Sequence, residues 1–249
     1  MGPRSPRGGE LIVSDFACLG LLGGFDCTVG DQRYSLPLGT QRLLALLALQ
    51  EGGTHRSTAA ELLWPDSSVA RAAGNLRSAL WRGRQLGDVP LVENVGPRLR
   101  LTRDVHVDVR RTHTGVARAL RGESTPDDPH FGALVVALSL ELLPSWCDEW
   151  LLLERERWDQ VRVHALEGIA ELLLAEARYL EAMQTALAAV AVEPIRETAH
   201  RIVIEVHLAE GNAASALRHY HKYRTQLHRE LGVAPSARLA RLASTLLPS

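Results

Sequence analysis

The chain has 249 residues, 28 Lys+Arg against 29 Asp+Glu, a net charge of −1 and 46% hydrophobic residues. That composition excludes disorder of the whole chain and allows one large domain or two small ones. No run reaches the ~18 apolar residues of a spanning helix, and Cys18, Cys27 and Cys147 lie far apart without a CxxC pair, which fits neither a disulfide framework nor a zinc site.

The amino end carries Arg4 and Arg7 before Leu11 to Gly24, but Asp15 interrupts the apolar run, which reads as a buried strand rather than a secretion signal. The lipidation signal that begins Met-Gly needs Ser or Thr at position 6, where Pro6 stands. A reducing cytoplasm is the expected location. Lys222 is the one lysine, and such arginine bias with abundant Ala and Gly points to a genome of high GC content. Residues 1–120 hold 15 basic and 11 acidic side chains, and residues 121–249 hold 13 and 18, so a basic front precedes an acidic back.

In chain order, Leu11 to Val29 reads as short strands broken by Gly20, Gly23 and Gly24, with a turn at Gly30-Asp31. Thr40 is the expected N-cap of a buried helix over Gln41 to Gln50, which Gly52-Gly53 closes. A second helix spans Ala59 to Trp64 and stops at Pro65. A third runs from Ser68 to Leu86 and ends at Gly87. Leu91 to Val95 and Leu99 to Leu101 then flank Gly96-Pro97 as a hairpin, and Val105, Val107 and Val109 alternate as one more strand. Three helices followed by a hairpin are the element order of a winged helix, although a small α+β enzyme domain shares the string.

Gly122, Pro126, Asp127, Asp128 and Pro129 mark a linker, after which the chain is helical. Leu174-Ala175-Glu176 recurs as Leu208-Ala209-Glu210, an offset of 34 residues, and Ala182 recurs as Ala216. That is the tetratricopeptide (TPR) period, in which small residues let paired helices approach closely. The match is partial, because the position of Pro194 is taken by His228 in the second copy. The expected fold is therefore mainly α with a small β component: a winged helix-turn-helix over 11–112 and an all-α TPR-like domain over 113–249.

Helical spacing puts Ala72, Leu76, Ala79, Leu80, Gly83 and Leu86 on the inward face of the third helix. Arg71, Ser78, Trp81, Arg82 and Gln85 lie opposite, with Asn75, Arg77 and Arg84 on the flanks and no acidic residue on the helix. A solvated face normally mixes signs, whereas arginines with Asn, Ser and Gln suit phosphate oxygens and purine edges. Arg98 and Arg100 on the hairpin, with Arg42 and Arg56 near the starts of the first two helices, complete the candidate DNA-binding set.

Leu62-Leu63-Trp64-Pro65, the run Asn75 to Arg82, Leu99-Arg100-Leu101 with Val107-Asp108-Val109, and Leu231-Gly232-Val233-Ala234-Pro235-Ser236 together resemble the Streptomyces antibiotic regulatory protein (SARP) family, from about Leu19 to Leu247. The resemblance implies an OmpR-like winged helix that binds direct promoter repeats as side-by-side protomers or a homodimer. It also implies a bacterial transcriptional activator domain that assists activation through RNA polymerase and its sigma factor, in control of antibiotic biosynthesis genes. Gly83 departs from the family by replacing a bulky residue, and the first strand is unusually rich in Gly. No GxxxxGK[ST] is present, so the chain resembles the small, stand-alone members.

No metal, cofactor or membrane partner is expected. His219 and His221 fall about 200° apart on a helix, and His200 and His207 share a face without a third ligand. Nor is an enzyme expected: no GxSxG or HExxH occurs, Glu154 to Arg157 alternate as a charged surface, and Trp146, Trp150 and Trp158 have the spacing of core residues. The rival reading is a TPR-like protein-interaction scaffold without specific DNA binding.

Overall fold

The computed structural model describes residues 16–244. The expected strand start at Leu11, the signal and lipidation readings at the amino end, and Leu247 lie outside the described residues. The chain packs as two units: the described residues through Val107 without Leu21–Gly24, and Leu21–Gly24 together with the chain from Asp108. A boundary at 112 would cut through a continuous helix that starts at Asp108.

In the first unit the elements are β1 (Ala17–Gly20), β2 (Asp26–Val29), β3 (Gln32–Arg33), α1 (Leu38–Leu49), β4 (Thr54–His55), α2 (Arg56–Leu63), α3 (Val69–Gly83), β5 (Gln85–Leu86), β6 (Val89–Pro90), β7 (Val92–Val95), β8 (Arg98–Leu101) and β9 (Val105–Val107). One sheet has the order β3-β2-β1-β9, with β1 antiparallel to β2 and parallel to β9. A second sheet, β4-β8-β7, joins the hairpin to the start of α2. Alternation along the strands buries Ala17 and Leu19, Cys27 and Val29, and Val105 and Val107.

Several boundaries differ from the expectation for local reasons; helix α2, for one, starts at Arg56 and not at Ala59, directly after the β4 residues that pair with the hairpin. Helix α1 begins at Leu38, because Pro37 supplies the first carbonyl, to Thr40 N at 2.8 Å and Gln41 N at 3.0 Å. Thr40 is thus a buried residue of the first turn and not the cap; its hydroxyl donates to Ala79 O at 3.4 Å. Helix α3 ends at Gly83, not Leu86: Gln85-Leu86 pairs with Val89-Pro90 across a turn at Gly87, whose φ is +57°. Val109 leaves the strand pattern and enters a helix.

Ala72, Leu76, Ala79, Leu80 and Gly83 are buried on α3, which packs on α1 and α2. The tightest point is Gly83. A Cβ there would meet Thr40 Cγ2 at 2.4 Å, and Thr40 is fully buried. This explains the departure noted at Gly83, since a larger residue would push α3 away from α1.

The second unit comprises α4 (Asp108–Leu120), α5 (Pro129–Leu138), α6 (Glu149–Ala175), α7 (Tyr179–Val192), α8 (Glu197–Ala209), α9 (Ala213–Leu231) and α10 (Ala237–Ser244). Asp108 holds the excursion at Leu21–Gly24: its carboxylate accepts from Leu21 N at 2.8 Å, Leu22 N at 2.9 Å and its own helix at Val109 N, 2.7 Å. Burial outweighs these bonds and raises the carboxyl above its ordinary range. Leu22 also bridges to Leu142, and Gly23 N donates to Glu141 O at 2.7 Å. Arg155 is not part of a self-satisfied surface row; it donates to the carbonyls of Leu142, Leu143 and Trp146 and ties that loop to α6. Trp158 is buried and donates to Leu140 O at 3.0 Å.

The 34-residue offset reappears in the helix ends: α6 stops at Ala175 and α8 at Ala209, while α7 starts at Tyr179 and α9 at Ala213. Ala182 and Ala216 are both fully buried, as close helix approach requires. The copies diverge where Pro194 follows α7, whereas α9 continues through His228 to Leu231. The first helices of the two copies are linked by Glu167 with Arg196 at 2.7 Å, and by Glu171 with Arg201 at 2.5 Å.

His200 Nδ1 lies 2.9 Å from His219 Nε2 across α8 and α9, and its ring stacks on Tyr223 at 4.2 Å. Burial, then the positive charges of His200, His207 and Lys222, push His219 from its ordinary 6.5 to about 4.

Two outcomes follow from these contacts. Gly83→Ala is expected to destabilise the chain by about 1 to 3 kcal/mol despite alanine's better helix propensity. Adding Thr40→Ala, which removes the obstructing methyl, should recover part of that loss in denaturant unfolding; a stable single variant would contradict the tight approach. The lowered pKa of His219 makes its share of stability present above pH 6.5 and lost as pH falls towards about 4. His219→Gln should therefore flatten the fall in thermal midpoint over that range; an unchanged profile would mean that folding does not lower the pKa of this histidine.

Candidate nucleic-acid interface

Helix α3 forms because Ala70, Ala72, Ala73 and Ala79 with Leu76 and Leu80 are good helix formers. It stops where Arg84 N makes the last helical bond, to Leu80 O at 2.8 Å, and Arg84 O then accepts from Leu91 N at 2.8 Å. The end of the helix is thereby tied to the chain entering the hairpin.

The buried face leaves a central outward stripe of Ala70, Gly74 and Ser78, spaced by four residues. Arg71 and Arg82 line one edge, with Asn75 half-buried beside them, and Arg77 lines the other; Trp81 stands on the stripe itself, between Ala70 and Gly74 in helical angle. Arg71, Arg77, Ser78 and Arg82 are exposed, and no acidic residue lies between 69 and 84. The Ser78 hydroxyl donates to Gly74 O at 3.2 Å within the helix. Trp81 is 83% exposed, the largest such value among the described large apolar side chains.

Gln85, expected on this face, does not belong to the helix. It sits in β5, and its amide nitrogen donates to Gly87 O at 2.7 Å. The hairpin arginines are also engaged within the unit. Both Nε and Nη2 of Arg100 donate to Glu93 Oε1, at 2.9 and 2.7 Å, and Arg98 Nη1 donates to Gly53 O at 3.1 Å. Arg56, the first residue of α2, donates to Asn94 Oδ1 at 2.7 Å, and Arg42 is half-buried on α1.

Arg71, Asn75, Arg77, Ser78 and Arg82 are thus gathered on one helix, while Arg56, Arg98 and Arg100 stand on and beside the hairpin. Glu93 and Asn94 were absent from the sequence-derived set. The signal for Glu93 was available in the hairpin register, since a turn at Gly96-Pro97 sets Glu93 opposite Arg100. Among the described residues, no group of three or more His, Cys, Asp or Glu side chains is placed to hold a metal ion, and no helix is long and apolar enough to cross a membrane.

Residues 137–247 match the family described as the bacterial transcriptional activator domain. No curated protein matches the sequence. Among solved structures, that titled "Mycobacterium tuberculosis EmbR in complex with low affinity phosphopeptide" has the same fold, with a TM-score of 0.74 at 20% identity over 93% of this chain. The present chain spans 65% of the length of that one.

Proposed function

We propose that the chain is a SARP-type, sequence-specific, DNA-binding transcription activator that acts in the cytoplasm, a reading supported by the match of residues 137–247 to the bacterial transcriptional activator domain. The observation that carries this reading is the outward face of α3: exposed arginines on both edges, small residues and Trp81 between them, and no acidic side chain to neutralise them. Such a face can enter a major groove closely, hold phosphates along its edges and reach purine edges with Arg71, Arg77 or Arg82. Arg98 and Arg100 on the hairpin would touch the neighbouring backbone, with Arg56 and Arg42 at the starts of two helices as further phosphate contacts.

The second unit would recruit RNA polymerase holoenzyme through its sigma factor, with protomers side by side on direct promoter repeats of antibiotic biosynthesis genes. Its paired helices with a 34-residue offset support a protein-binding role, because such stacks present extended surfaces. The proposed activity needs neither a catalytic residue nor a cofactor.

The deciding experiment is selection of bound fragments from sheared high-GC bacterial DNA with the full chain, at low and at physiological salt. A repeated short motif that survives physiological salt is expected, with log affinity falling by about 0.9 per log salt for each phosphate neutralised. A well-folded chain that enriches no motif, with a flat salt response, would instead favour the protein-interaction scaffold. On the selected site, Arg71→Ala and Arg82→Ala should each weaken binding by about 1 to 3 kcal/mol without lowering thermal stability; wild-type binding by both would show that another face reads DNA. Glu93→Gln should release Arg100 and raise affinity for unrelated duplex DNA a few-fold, as measured by fluorescence anisotropy; unchanged affinity would place Arg100 outside the backbone contact.

A further inference from the structure

An open cleft of about 280 Å³ lies between α3 and the β7–β8 hairpin. Its apolar lining is Leu80 and Val92, both buried; its polar lining is Arg56, Arg77, Arg84 and Asn94, all exposed, and Trp81 stands beside them. Three arginines line the cleft and no carboxylate does. The Asn94 amide oxygen holds Arg56 in position at 2.7 Å. The indole of Trp81 is left in water, although burying an aromatic ring is strongly favourable.

We propose that this cleft seats one nucleotide unit of the DNA backbone, with Arg56, Arg77 and Arg84 around the phosphodiester and the Trp81 ring packed against the adjoining sugar. This rests on the DNA-binding reading of α3 and adds Trp81, Arg84 and Asn94 to it. The chemistry of the lining selects such a ligand: cations for the phosphate, an amide that orients one of them, and an apolar ring for a sugar face. A backbone suits the site better than a free anion, because the cleft is open and shares Arg77 with the edge of α3. A strand following that edge would run into the cleft without leaving the helix.

The charged and apolar components separate by experiment. With the full chain and its selected duplex, Trp81→Ala is expected to lower affinity about tenfold with the salt slope unchanged, since it removes ring packing but no charge. Arg84→Ala is expected to lower affinity and to make the slope shallower by about 0.9, the loss of one phosphate contact. Trp81→Phe should retain most of the binding. Both side chains are exposed, so thermal unfolding of each variant should match the wild type.

Wild-type affinity and slope in both Trp81→Ala and Arg84→Ala, with Arg71→Ala and Arg82→Ala still impaired, would overturn the cleft proposal and leave the α3 reading intact. A wild-type chain that binds no duplex with any salt dependence would overturn both. Saturable binding of thymidine monophosphate without DNA, abolished by Arg84→Ala, would overturn the backbone assignment, because the cleft would then be a pocket for a free nucleotide.

Discussion

The basic face of α3 is available only because the opposite face is buried, and the closest contact in that burial is Gly83 against Thr40. A Cβ at Gly83 would lie only 2.4 Å from Thr40 Cγ2, so with a side chain there the end of α3 would have to move away from α1. The rest of the first unit follows from that end point. Arg84 makes the last helical bond and then receives Leu91, so the hairpin departs from a place that the helix packing sets. The cleft that holds Trp81 and Arg84 therefore depends on a contact made on the other side of the helix.

Charge in this unit is divided between two jobs. Glu93 holds Arg100, the Gly53 carbonyl takes Arg98, and Asn94 takes Arg56, so the hairpin arginines already have partners before any ligand arrives. The helix arginines on the outward face have no acidic neighbour on α3. An exposed ion pair contributes little to stability and is screened by salt. The Arg100–Glu93 pair is 34% and 38% exposed, so under the proposed DNA contact Arg100 would exchange Glu93 for a phosphate at modest cost. With a net charge of −1 over the whole chain, the proposed DNA binding would rest on this local arrangement and not on long-range attraction.

The second unit uses its buried polar groups differently. Glu167 with Arg196 connects the two helix pairs, and His200 with His219 and Tyr223 connects α8 to α9. Buried polar groups of this kind must stay partnered, because an unsatisfied one is costly. They hold the register of helices whose apolar contacts, many of them from alanine, are small. The activator-domain family match covers the same stretch, residues 137–247.

Element order, the inward face of α3, the hairpin at Gly96-Pro97 and the 34-residue offset were all legible in the sequence. Each depends on residues close together in the chain, where helical and strand periods impose the pattern directly. Local spacing misjudged the end of α3, since Gln85-Leu86 fits the helical period yet pairs with Val89-Pro90, and the turn at Gly87 closes only in three dimensions. Tertiary structure alone decided that Leu21–Gly24 pairs with residues near 142, that Arg155 serves loop carbonyls, and that His200 meets His219. It also decided which arginines have partners and which face water. Those facts join residues distant in sequence, and a distant contact is chosen by packing, for which a single chain carries no local signal.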